Sequence, residues 1–136
     1  MTTVVNVRGK KPTDFADDPL FVYVGRSVRW TDWKGSVFGN PCTTAEAFAS
    51  ALNVAILNPH FGSVVFGEIA RRLPELLGKK LGCWCAHWPD STTSFLEEPP
   101  PICHAIVLAQ TVDFIHNAKA NGDRRFDHIC FPGDAA

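Results

Sequence analysis

Apolar residues fall in short blocks along this chain, and the spacing inside each block predicts an element. Thr3-Val4-Val5-Asn6-Val7 is rich in β-branched residues and ends at Arg8-Gly9, which predicts a strand followed by a turn. Residues 10–19 are polar and broken. Leu20-Phe21-Val22-Tyr23-Val24 is almost wholly apolar, as expected of a strand covered on both faces, and Gly25-Arg26 closes it. From Ser27 to Cys42 the aromatics Trp30, Trp33 and Phe38 alternate with Gly35, Gly39, Asn40 and Pro41, which predicts a loop packed over something. Thr43-Thr44-Ala45-Glu46 matches a capping box for a helix over 47–57 that Pro59 ends. A second helix is expected over 61–73, with Val64, Val65, Ile69 and Leu73 as its buried stripe, followed by a turn at Pro74 and Gly78. A strand through Cys83 comes next. Residues 87–102, with a Ser/Thr run, three acids and three consecutive prolines, read as an extended surface insert. A last helix is expected over 103–120, with Val107, Gln110 or Thr111, Phe114 and Ala118 inward and Asn121-Gly122 as its C-terminal cap. Phe126-Asp127-His128-Ile129-Cys130 reads as a final strand.

Strands alternating with helices imply right-handed parallel crossovers, so the expected fold class is α/β: a small three-layer domain with a mainly parallel sheet flanked by helices. At 136 residues and 46% hydrophobic, the chain can bury one core without staples, and residues 1–136 are read as a single domain. A formal charge of −1 offers no broad basic footprint, which disfavours nucleic acid as the main partner. No apolar run approaches the roughly 18 residues that span a bilayer, and residues 1–8 lack a signal-peptide profile, so no membrane role and a cytoplasmic setting are expected. Five cysteines scattered among strand and helix patterns fit a reducing compartment better than a disulfide scaffold. Oligomeric state is not legible.

The chemistry gathers at Leu81-Gly82-Cys83-Trp84-Cys85 and at Cys103-His104. Side chains two apart on a strand share a face, so Cys83 and Cys85 can line one pocket while Trp84 points away. Cys103 and His104 fall where a helix begins, and its unpaired N–H groups with the positive end of its dipole favour a thiolate or a bound anion. Ligands of open parallel sheets bind outside the carboxyl ends of the strands, where these segments and Gly25-Arg26 converge. One reading makes Cys103 a nucleophile, His104 its proton partner, Arg26 an anion contact and Trp30 or Trp84 a stacking surface. Zinc on Cys83, Cys85, Cys103 and His104, with His87 in reserve, is the alternative; C-x-C is a weaker signature than C-x-x-C, and two adjacent ligands must both turn onto one ion. The plain reading is that these cysteines are small buried hydrophobes. A Cys83–Cys85 disulfide is disfavoured by strand geometry. His60 and His116 read as surface groups, His128 as structural, and Asp14, Asp17 and Asp18 as a solvated cluster.

Val4-Val5-Asn6-Val7-Arg8, Val22-Tyr23-Val24-Gly25-Arg26, Phe38-Gly39-Asn40-Pro41, the run from Gly78 through Lys79-Lys80 and Cys83-Trp84-Cys85 to Ala86, and Cys103-His104 together resemble domain of unknown function 4326, seen in phage, bacterial and some fungal proteins. The resemblance covers most of the chain. It implies an α/β fold and a site at these motifs, including Arg8 and Asn40, but names no substrate. Members usually carry a short link between the two cysteine motifs and Gly-Asp after Cys-His; here the link is long and Ala105-Ile106 stands in that place. If that Asp were a base or ligand, Asp90, Glu97 or Glu98 would have to substitute, or the activity would differ. Asp127-His128-Ile129 also resembles the closing strand of a second uncharacterised α/β family.

Two functions follow from the sequence. One is the binding or processing of a small anionic or nucleotide-like ligand, with Cys103 and His104 catalytic and Arg8, Arg26, Trp30, Asn40, Cys83, Trp84 and Cys85 as contacts. The other is a non-catalytic domain presenting a surface to a protein or nucleic acid, with or without zinc. Whether the protein is an enzyme stays open.

Overall fold

A computed structural model describes residues 2–7, 9–26, 31–40, 44–60, 63–83 and 103–132. Strands β1 (Thr3–Asn6), β2 (Phe21–Tyr23) and β3 (Lys80–Cys83) form a sheet in the order β1-β3-β2, and both pairings are parallel. Thr3 and Phe21 both lie opposite Lys80, and Asn6 lies opposite Cys83. The helices are α1 (Ala45–Leu57), α2 (Val64–Arg72) and α3 (His104–Ala120). Short 3-10 turns occupy Pro12–Phe15, Leu73–Leu76 and Arg124–Phe126. This is the small parallel α/β domain the sequence predicts. No helix among the described residues is long and apolar enough to cross a membrane.

Strand alternation divides the two faces. Leu81 and Cys83 of β3, with Val22 and Val24 from β2 and its end and Val4 of β1, pack into one cluster with all three helices. On the opposite face Phe21 stacks on Phe15 at 4.0 Å, and Trp33 packs on Tyr23 at 4.6 Å, its ring N–H donating to the Lys10 carbonyl. The third layer is therefore a 3-10 turn and an aromatic segment. Gly82 permits this closure: a Cβ there would lie 2.5 Å from the Phe21 ring and 2.9 Å from Val7.

Helices α1 and α2 are capped by short polar side chains, and the helices depart from expectation in three places. Thr44, one residue later than the capping box implies, is the N-cap of α1; its hydroxyl accepts from Ala47 N–H, which occupies the position where a box needs Glu. Ser63 caps α2, but Val64 is 90% exposed and Val65 also faces outward. Phe66, with more area to bury, docks on Phe48 at 5.5 Å and turns the helix so that Ile69, Ala70 and then Leu73 face inward. In α3 Phe114 is 60% exposed, while Ala105, Val107, Leu108, Ala109, Val112 and Ile115 are buried. That helix touches α1, β1 and β3 together, so its buried face is wider than one stripe. Gly122, at φ +88°, ends it as expected, and Gly122 N–H and Asp123 N–H cap the Lys119 and Ala118 carbonyls.

The expected last strand does not form. Residues 124–126 make a 3-10 turn, and Asp127 and Ile129 return their N–H groups to Arg124 and Phe126. Ile129 and Phe131 are buried two residues apart, which imitates a strand's alternation. The segment is pinned from outside the sheet: the His128 Nε2 atom lies 2.7 Å from the Ile56 carbonyl, and Lys119 donates to the Ile129 carbonyl. His60 and His116 are exposed.

Candidate functional site

The carboxyl ends of β2 and β3 meet the start of α3. Cys83 is the last residue of β3, Cys103 is the N-cap of α3 and His104 its first helical residue. All three are buried, at 4%, 3% and 7% exposure. The Cys83 and Cys103 sulfurs are 3.5 Å apart, and Cys83 Sγ lies 3.7 Å from His104 Nδ1. The far ring nitrogen, Nε2, lies 2.7 Å from the Val24 carbonyl. A carbonyl can only accept, so Nε2 carries a proton, and Nδ1 is the ring atom that faces the Cys83 sulfur. The side of the Phe48 ring meets the imidazole at 5.4 Å and 73°, fixing its plane.

This geometry refines the expected roles. The thiol that faces the imidazole is Cys83, and Cys103 reaches the histidine's neighbourhood through it. The backbone explains how adjacent residues converge: Cys103 is extended, at φ −82° and ψ 142°, and His104 opens the helix. The change of conformation between them brings both side chains to Cys83. Cys103 makes no side-chain capping bond, which leaves its sulfur to the cluster.

Arg26 and Asn40 lie at the same edge. The Arg26 side chain donates through Nε to the Asn40 carbonyl, and Asn40 Nδ2 donates to the carbonyl of Thr44, the N-cap of α1. Arg26 itself is exposed. The Tyr23 hydroxyl donates to the Arg26 carbonyl, and burial, with Cys83 adding, pushes the phenol up to about 12, so it stays a neutral donor. Arg8, Trp30, Trp84 and Cys85, together with His87, Asp90, Glu97, Glu98 and the rest of the 87–102 insert, lie outside the described residues.

Three contributors escape sequence reasoning. Val24 acts through its backbone carbonyl and Phe48 through its ring edge, so residue type carries no signal for either. Asn6 pairs in register with Cys83 on the same face, a relation that appears only once the strand order is known.

A family model described as Domain of unknown function (DUF4326) matches residues 5–114, a span containing every one of these groups. The chain belongs to this family. In this member of DUF4326, Cys103-His104 stand at the start of α3 and Val24-Gly25-Arg26 directly follow β2. An uncharacterized protein of Acanthamoeba polyphaga mimivirus is 27% identical over 118 residues, covering 85% of this chain and 84% of that protein. No solved structure gives a significant match. The DUF4326 assignment agrees with the resemblance drawn from the motifs.

Proposed function

We propose that this domain binds a small anionic, nucleotide-like ligand at the carboxyl edge of its sheet. The observation that carries the reading is the meeting of two helix starts with a cation: Thr44 of α1 and Cys103 of α3 both lie at this edge, and Arg26 reaches from β2 to the α1 start through Asn40. Helix N-termini of 13- and 17-residue helices present N–H groups and a partial positive charge, and a guanidinium adds a fork suited to phosphate or carboxylate. Arg8, Trp30 and Trp84 extend the same proposal as anion and stacking contacts. Catalysis by Cys103 with His104 is the further step of this reading, with Cys83 relaying between thiol and imidazole.

The burial of both thiols favours a second reading, in which the domain binds without covalent chemistry and its partner is a protein. A thiol that is 3% exposed does not meet a substrate without an opening of the site. Thermal shift across inorganic phosphate, nucleoside mono- and triphosphates and small dicarboxylates tests the first. The expected result is stabilisation by a phosphate-bearing compound that Arg26→Ala reduces at least about tenfold in affinity, the loss of one charge-assisted contact. Equal shifts in wild type and Arg26→Ala, or no shift with any anion, would sink it. Cys103→Ser separates binding from turnover.

A further inference from the structure

We propose that Cys83, Cys103 and His104 form a zinc site at the base of this edge, compatible with an anion bound above it but taking the place of catalysis by Cys103 with His104. Zinc bonds of about 2.3 Å to sulfur and about 2.0 Å to nitrogen, at tetrahedral angles, place two sulfurs about 3.8 Å apart and a sulfur and nitrogen about 3.5 Å apart. The structure holds its donors at 3.5 Å and 3.7 Å, and the three ligand atoms all lie within 4.8 Å of one another. Few side-chain movements separate this arrangement from coordination.

The histidine is prepared for a metal. A ligating imidazole usually donates its second N–H to a carbonyl or carboxylate, which fixes the tautomer and aims the other nitrogen. Here Val24 accepts from Nε2 at 2.7 Å, leaving Nδ1 to the sulfurs, and Phe48 braces the ring. A histidine buried only for packing needs a partner on Nε2; it does not need Nδ1 aimed at one thiol of a close thiol pair.

Charge and donor type narrow the metal to a thiophilic divalent ion, of which zinc is the usual occupant of such donors. Zn2+ with two thiolates and a neutral imidazole is a neutral centre, which the buried position tolerates, whereas Cu+ with the same donors would bury a net negative charge. Mg2+ and Ca2+ require oxygen donors, and the cluster holds none. Binding displaces one proton from each thiol to solvent and involves no oxidation. The three side chains leave the fourth tetrahedral position to a further donor.

The test uses the full chain, purified under reducing conditions without chelator or metal-affinity resin. Elemental mass spectrometry should find about one zinc per chain. After stripping, Co2+ should give strong near-ultraviolet sulfur-to-metal charge transfer with tetrahedral visible bands, and adding Zn2+ to the stripped protein should raise its Tm. Cys83→Ser and Cys103→Ser should each lose more zinc affinity than the roughly 10–100-fold that altered outer-shell partners cost, while Cys130→Ser, an exposed thiol away from the cluster, should keep the full complement. If the serine variants fail to fold, the cobalt spectrum and the zinc-dependent Tm of the wild-type protein decide alone. Three results overturn the site: no zinc with no cobalt charge transfer, zinc retained by both serine variants, or an intact mass showing Cys83 and Cys103 joined as a disulfide. A failed anion screen leaves each of these readouts unchanged.

Discussion

At the scale of single residues, Tyr23 and Gly82 show how tightly β2 and β3 are closed together. Tyr23 is raised to about 12 in the folded protein, chiefly by burial. A raised value means the native state holds the proton more strongly than the unfolded chain, whose tyrosines titrate near about 10. The stability this contributes is complete below pH of about 10 and is lost as pH rises toward about 12. In thermal melts taken from pH 8 upward, the wild type should therefore lose stability steeply only above about pH 10. Tyr23→Phe should start lower, having lost the bond to the Arg26 carbonyl, but decline less; parallel curves would refute the assignment. Gly82 makes the complementary point, because any side chain there strikes Phe21 and Val7. Gly82→Ala should destabilise by about 1–3 kcal/mol in urea unfolding, the usual cost of overpacking, and a neutral result would mean the aromatic layer yields freely.

Among the elements, the first strand is held from both ends of the chain's middle. Thr2 donates from its amide and hydroxyl to Asp113 of α3, at 3.0 Å and 2.7 Å, and its hydroxyl accepts from Gly78 N–H at 3.0 Å. The start of β1, the turn before β3 and the middle of α3 thus share one polar knot. Asp113→Ala should cost about 1–3 kcal/mol, since it strands partly buried donors, and hydrogen exchange should rise first at β1; an unchanged exchange pattern would argue that the knot is ornamental to the fold. Nothing in the sequence marks Thr2 or Asp113, because their pairing spans most of the chain. The three strands and three helices that form were legible, since β-branched runs and Pro, Ser and Thr boundaries act locally, whereas the strand expected over 126–130 does not form. What was not legible was phase. Val64 and Phe114 looked inward by spacing, yet the larger demand of Phe66 and the wide buried face of α3 decided otherwise. The same limit explains the site: Cys83, Cys103 and His104 could be nominated by type, but the order of contact, with Cys83 between the other two, required the strand end and the N-cap conformation.

Across the whole molecule, residues 124–132 close the core without joining the sheet. Ile129 is 2% exposed and packs in the cluster with Phe126 and Phe131. Ile129→Ala should therefore cost about 2–5 kcal/mol, as in any buried large-to-small change, although no ladder hydrogen bond depends on it. A loss below about 0.5 kcal/mol in denaturant titration would show that this segment is peripheral.

The position of β3 in the centre of the sheet has a consequence during synthesis. Among the described residues β1 and β2 pair only with β3, so Thr3 waits for Lys80 before it has a neighbour in this ladder. At about 5–20 residues per second, the nascent chain spends seconds with two apolar strands made and their template still inside the ribosome. During that interval their open edges are available to other chains, so yield in the cell should depend on translation speed and chaperone supply more than the stability of the finished domain suggests.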